Sequence, residues 1–202
     1  MGASTSINIL NVDDKIAQIE LDQGTLNVRV WKLSGDKSFE IDTPNLAFTV
    51  KNLGDYRIDV DTTNNTTTVT SRDGQAIVYG KSSSYDIKPG SSYRFSGTDL
   101  SKYETLALAN PDDFDRWCTS RNRPEDAALS STMVSPEVTG AADLNTYGTW
   151  QSDPTYKNVW FPKNVASDWV PFRDGQWVWI DPWGWSWIDN EIWGFAPFHY
   201  GR

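Results

Sequence analysis

YRIDVDTTNNTTTVTS (residues 56–71) sets the reading of the first half of the chain. Apolar and polar side chains alternate through YRIDV (56–60) and again through TTTVTS (66–71), the period of a strand with one buried face. Asn64-Asn65 lies between them, and Asn tolerates the positive φ of a hairpin turn, so the stretch predicts two strands joined in a hairpin. The same alternation recurs on either side, in TLNVRVWKL (25–33), LAFTV (46–50) and QAIVYG (75–80). Gly35-Asp36, Gly54-Asp55, Asp73-Gly74 and Pro89-Gly90 punctuate these runs as turns. Thr and Tyr suit half-buried strand positions. Short strands at a spacing of roughly ten residues predict an all-β domain over residues 1–100.

Helix signals begin only after residue 109. In NPDDFDRWCTSR (110–121), Asn110 is placed to cap, Pro111 suits the first helical position, and Asp112 and Asp113 favour the positive end of the helix dipole. Phe114, Trp117 and Cys118 then share a face, which predicts a helix within 110–122 packed on the β-domain. Residues 101–148 read as this helix and a polar connector broken by Pro124, Pro136 and Gly140. Residues 149–202 form a second, smaller unit, because nine of the eleven Trp lie between 150 and 193.

Composition excludes several functions. The chain has 202 residues and a net charge of −9, which argues against nucleic acid or an anionic membrane as partner. No run of apolar residues is long enough for membrane insertion, and the N-terminus MGASTSINIL shows no signal peptide. The single cysteine, Cys118, excludes an internal disulfide, and the single histidine, His199, excludes a His-rich metal site. No motif calls for a cofactor or a metal.

DGQWVWIDPWGWSWIDNEIWGF (174–195) contains six Trp. Asp181-Pro182-Trp183-Gly184 has the residues of a type I turn closed by a glycine bulge. That turn sets Trp179 opposite Trp187 and Val178 opposite Ile188. One face of the hairpin then carries Trp177, Trp179, Trp185 and Trp187, and the other Val178, Ile180, Ser186 and Ile188. The aliphatic face is ordinary. The indole face is either a core covered by Trp150, Trp160, Trp169 and nearby Pro-Phe pairs, or a platform for sugar rings or a proline-rich partner. Trp179 and Trp187 are expected to carry stability, and Trp177 and Trp185 to contact a partner. VPFRDGQ (170–176) and APFHYGR (196–202) repeat one pattern. The first copy is followed by Trp177. The second is followed by nothing, so the motif is expected to continue in a longer protein.

FEIDTPNLAFTVKNLGDYRIDV (39–60), DGQAIVYG (73–80) and DIKPGSSYRF (86–95) resemble the FecR-type domain of bacterial envelope proteins. The resemblance rests on Asp42-Thr43-Pro44, then Gly54-x-Tyr56-Arg57, Gly74 and Pro89-Gly90. DDFDRWCTSRNR (112–123) and residues 169–202 resemble a Trp-rich extension that follows this domain in proteobacterial exported proteins. The resemblance implies a mainly β protein: a β-solenoid or sandwich domain, a short helix, then a small Trp-rich β-hairpin unit. It also implies a periplasmic or secreted location and no enzymatic activity. The chain shows no anti-sigma segment and no membrane helix, which sets it apart from the family's sensors.

Carboxylates stand among the indoles, and a glycosidase needs a pair of them across a cleft. Asp174, Asp181 and Asp189 precede Gly, Pro and Asn and read as turn residues. Glu191 has no such role and is the candidate polar contact. Cys118 reads as a buried, inert thiol, and His199 as a residue at a repeat position. Three functions follow in order: a non-catalytic exported binding module that recognises envelope glycan on its aromatic face, an envelope scaffold or signal-relay domain that binds a protein, and a glycan-active hydrolase.

Overall fold

The computed structural model describes residues 1–129, 133–135 and 137–201. Pro136 and Arg202, part of the connector and repeat readings above, lie outside the described residues. The chain is mainly β, with 47% strand against 13% helix. It divides into two compact units, Met1–Asp115 and Arg116–Arg202.

The first unit contains β1 (Ser6–Val12), β2 (Ile16–Val30), β3 (Ser38–Asp42), β4 (Ala47–Val50), β5 (Gly54–Asp61), β6 (Thr66–Asp73), β7 (Ala76–Tyr79), β8 (Ser84–Ile87), β9 (Ser91–Ser96) and β10 (Lys102–Leu106). They form one curled sheet in the order β10-β9-β6-β5-β2-β3-β4-β7-β8, with β1 on β2. The long strand β2 joins the halves. Its start pairs with β1 and β3, and from Gly24 onward it pairs with β5. Gly24 sits at the change of partner with φ +89°, and a Cβ there would lie 2.5 Å from Thr5 Oγ1, so only glycine fits. The halves close on each other, bringing Phe48 to 5.4 Å from Tyr56 and Tyr85 to 5.9 Å from Phe95 between ring centroids. Only β2–β3 is parallel, so the architecture is sandwich-like rather than a solenoid of parallel coils.

The 56–71 hairpin forms as its alternation predicts. Tyr56, Ile58 and Val60 point inward from β5, and Thr67 and Val69 from β6. Asn65 takes the left-handed backbone at φ +51°. Buried Asn45 donates to the backbone oxygen and side chain of Asn65 and accepts from Thr67 Oγ1 at 2.9 Å. Thr43 joins this network through Thr67 at 3.1 Å. The Thr43-Pro44 turn is therefore a clasp on the hairpin loop.

Several boundaries differ from expectation. Trp31, Lys32 and Leu33 lie beyond β2. Gly54 opens β5 rather than a turn; its role is close approach, since a Cβ would lie 2.2 Å from the Asp73 carbonyl. β10 falls in the segment read as connector, because Lys102 through Leu106 pair with β9. The helix α1 (Asp113–Leu129) is longer than expected and runs through position 124. Proline removes one backbone donor, but its φ is already helical, so it weakens a helix without forbidding it. The cap is Asp112, not Asn110. Asp112 Oδ1 accepts from the Asp115 N–H at 2.8 Å, and Asp115 Oδ2 accepts from the Asp112 N–H at 3.1 Å, a reciprocal capping box. The Asp115 N–H, and then Arg57, hold the Asp112 carboxyl below its ordinary pKa.

Arg57 anchors this helix start. Its guanidinium bonds Asp59, reaches Asp112 at 2.7 Å and buried Asp115 at 3.1 Å, and lies over the Phe114 ring. Arg72 adds a 2.7 Å pair to Asp115.

The second unit holds the rest of α1, then α2 (Ala141–Tyr147), β11 (Gly148–Asp153), β12 (Lys157–Pro162), β13 (Gly175–Ile180), β14 (Gly184–Asp189) and α3 (Phe195–Tyr200). The strands make two separate hairpins, β11–β12 and β13–β14. Gly148 accommodates the Trp160 ring, to which a Cβ would approach within 2.1 Å. The Trp160 indole N–H donates to the Leu144 carbonyl at 2.8 Å and ties β12 to α2. Cys118 is buried, as expected of an inert thiol.

Candidate functional site

The β13–β14 hairpin keeps the two faces that alternation predicts but shifts their register by two residues. Trp177 opposes Trp187, Trp179 opposes Trp185, and Ile180 opposes Gly184. Asp181, Pro182 and Trp183 form the loop, and Gly184, at φ +86°, is already the first paired residue of β14. A shift of two returns every side chain to the face it left. The alternation therefore fixes the faces and is blind to this choice of partners.

The new register divides the indole face along its length. At the end away from the loop, Trp187 is 7% exposed. Its indole N–H donates to Asp189 Oδ2 at 2.8 Å, and Phe172 covers it with ring centroids 5.7 Å apart. Phe172 continues to Phe198 at 4.7 Å, and Phe198 lies parallel to Trp193, which also meets Trp160 at 5.1 Å and Trp169 at 5.7 Å. The two Pro-Phe copies thus meet through their Phe rings and build an aromatic core. Their backbones differ, the first being a turn and the second part of α3.

At the loop end the indoles are open. Trp179, Trp183 and Trp185 are 60%, 79% and 66% exposed, and at the other end Trp177, across from buried Trp187, is 57% exposed. The Trp179 and Trp185 centroids are 5.9 Å apart, with ring planes at 83°. Trp177 keeps one face parallel to Phe172, so it is a narrower platform than its neighbours. Of the four indoles named as a face, Trp187 is buried, as its expected stabilising role requires. The expected pairing is corrected: Trp179 opposes exposed Trp185 instead of packing on Trp187. Trp183 was missed because it lies outside the strands. Its place between Pro182 and Gly184 in a three-residue loop is the signal, since the tip of a hairpin has no neighbour to cover it.

Three of the carboxylates are engaged in local structure. Asp168 pairs with Arg173 at 3.3 Å. Asp174 Oδ1 accepts from Asn190 Nδ2 at 2.8 Å, and Asp189 Oδ1 accepts from the Glu191 N–H at 2.8 Å. Glu191 has the turn role that its sequence context concealed, for its carbonyl accepts from the Gly194 N–H at 2.9 Å. It stands beyond β14. His199 is exposed, with its ring stacked on Phe195 at 4.1 Å.

Residues 141–202 match the model of a family of unknown function, DUF6600. The match spans α2 through α3 and so contains the whole candidate site. No curated protein matches the chain. Among solved structures, a candidate anti-sigma factor from Parabacteroides distasonis ATCC 8503 at 1.65 Å is similar at 15% identity and a TM-score of 0.44. That match covers 52% of this chain and 49% of the other, so the chain spans about half the length of that relative. A second structure of the same description, at 2.50 Å, is similar at 12% identity and a TM-score of 0.44, covering 75% and 83%.

The first unit has a competing concavity of about 640 Å³ on the polar face of its sheet. One register row, Thr25, Asp59, Thr68, Arg94 and Glu104, crosses it. Thr25 donates to Asp59 at 2.7 Å and Arg94 meets Glu104 at 3.4 Å, so these groups largely answer one another.

Proposed function

We propose that this protein is a non-catalytic binding module of the bacterial envelope that stacks a glycan against Trp179, Trp183 and Trp185. The observation that carries this reading is the contrast within one hairpin: Trp187 is closed off, while these three stand open. Leaving an indole wholly open forgoes roughly 4–6 kcal/mol of burial, taking about 25 cal/mol per Å² over the 150–250 Å² such a side chain can bury. A cluster of exposed indoles on a structured hairpin is the mark of an interaction site. Flat indole faces suit the apolar faces of pyranose rings. The envelope setting rests on the FecR-like residues 39–95 and the Trp-rich extension. A non-catalytic reading is supported by the engagement of the Asp168, Asp174 and Asp189 carboxylates in local structure.

Titration with soluble envelope and exopolysaccharide fragments, followed by Trp fluorescence, tests the proposal. Trp179→Ala and Trp185→Ala should each weaken binding by about 2 kcal/mol while moving stability by no more than about 0.5 kcal/mol. Glycan affinity unchanged in both variants would overturn it, and capture of a proline-rich peptide in place of any glycan would favour a protein-binding scaffold.

A further inference from the structure

Trp179 and Trp185 meet at a right angle, 5.9 Å apart between centroids. Perpendicular indoles turn two π faces toward one corner. Each face carries the negative lobe of its quadrupole, and such a corner attracts an organic cation. Trp183, at the tip of the same loop, adds a third open indole.

The surrounding charge has the matching sign. Residues 168–191 contain five carboxylates, Asp168, Asp174, Asp181, Asp189 and Glu191, against one cation, Arg173. Arg173 lies 3.3 Å from Asp168 and is therefore already engaged. Exposed Asp181 opens the loop that carries Trp183. An acidic polysaccharide approaching this hairpin meets a repulsive field, a neutral one meets the indoles alone, and an ammonium group gains from both.

We propose that the corner between Trp179 and Trp185 takes a protonated amino group, so that the preferred ligand is a glycan whose amino sugars are unacetylated. This rests on the platform reading above and adds the charge of the ligand to it.

Three hexasaccharides with a shared glucose-derived backbone separate the two claims: the glucosamine hexamer, the N-acetylglucosamine hexamer and cellohexaose. In slightly acidic, low-salt buffer the whole chain should bind the glucosamine hexamer about tenfold more tightly than the other two. The advantage should shrink as salt is added. Asp181→Asn should reduce it severalfold and leave cellohexaose binding unchanged. Equal affinity for all three hexamers overturns the amine preference and leaves the platform standing. An advantage that survives in the Trp179→Ala, Trp185→Ala double variant also overturns it, since charge alone would then be the cause. Failure of every hexamer to bind overturns the platform and the amine preference together.

Discussion

In the first unit, Phe48, Tyr56, Ile58, Val69, Val78 and Phe95 are wholly buried inside a sheet folded back on itself. In the second, the large side chains buried to a comparable degree among the described residues are Leu144, Trp187 and Trp193, helped by Ala141, Ala142 and Ala196. The difference follows from the number of strands. Ten paired strands present many inward positions, and modest aliphatic residues on each are enough. A two-stranded hairpin presents few and is marginal alone, so each inward residue must cover more surface, and an indole covers the most. The same shortage leaves the loop end of β13–β14 uncovered, which is why one face holds both core and candidate site.

The contrast is sharpest where each core is cut. Phe48→Ala and Trp193→Ala should each cost about 3–5 kcal/mol, with Trp193→Ala also collapsing the near-ultraviolet circular dichroism of the indoles. A Trp193→Ala protein that melts within about 0.5 kcal/mol of the parent, the range of a surface change, would mean that the second unit is not held by its aromatic core.

Alkaline pH should act through the first unit. Burial pushes the Tyr56 hydroxyl up to about 12 from an ordinary 10, with Asp73 adding to it. Above pH 10 the unfolded chain releases this proton while the folded one still binds it, so stability is intact below 10 and falls as pH rises toward 12. The loss should reach about 2–3 kcal/mol at 1.36 kcal/mol per unit. In Tyr56→Phe the carbonyls of Asn52 and Gln75 lose their donor, and the variant should be weaker at neutral pH yet lack this alkaline slope. Urea melts at several pH values decide the matter, and a slope that persists in the variant would assign it elsewhere.

A smaller effect belongs to the start of α1. Asp112→Ala removes one arm of the capping box and should cost about 1 kcal/mol at neutral pH. Because the carboxyl is held below its ordinary value of 3.8, its contribution is present above that pH and is lost on acidification through the lowered value. Variant and parent should therefore converge in acid, and a constant gap would point to packing instead of the cap. The smallest change is expected at the open end of the indole face, where Trp185→Ala should alter the melting transition by no more than about 0.5 kcal/mol. A loss near the core value would make Trp185 a structural residue.

Much of this architecture is legible in the residues alone. Alternation located β4 to β7, the Asn64-Asn65 turn, and both faces of the Trp hairpin, because a strand's side chains repeat every two residues whatever surrounds them. The acidic DDFD stretch announced a helix start, although two candidate caps stood within three residues and only the fold, through Arg57, selected Asp112. Glu191 was unreadable, since its turn is closed by backbone groups and by Asp189.

The sequence by itself determined that the chain is mainly β, that its tryptophans gather in a separate unit, and which residues share a face. Tertiary structure alone decided which strand partners meet and which end of the indole face is covered. Period two cannot distinguish a register from one shifted by two, and burial depends on Phe172, Phe198 and Trp193 arriving from elsewhere in the chain. Trp185 and Trp187 are both indoles on one face of β14, and packing from Phe172 covers one of them while the other stays open.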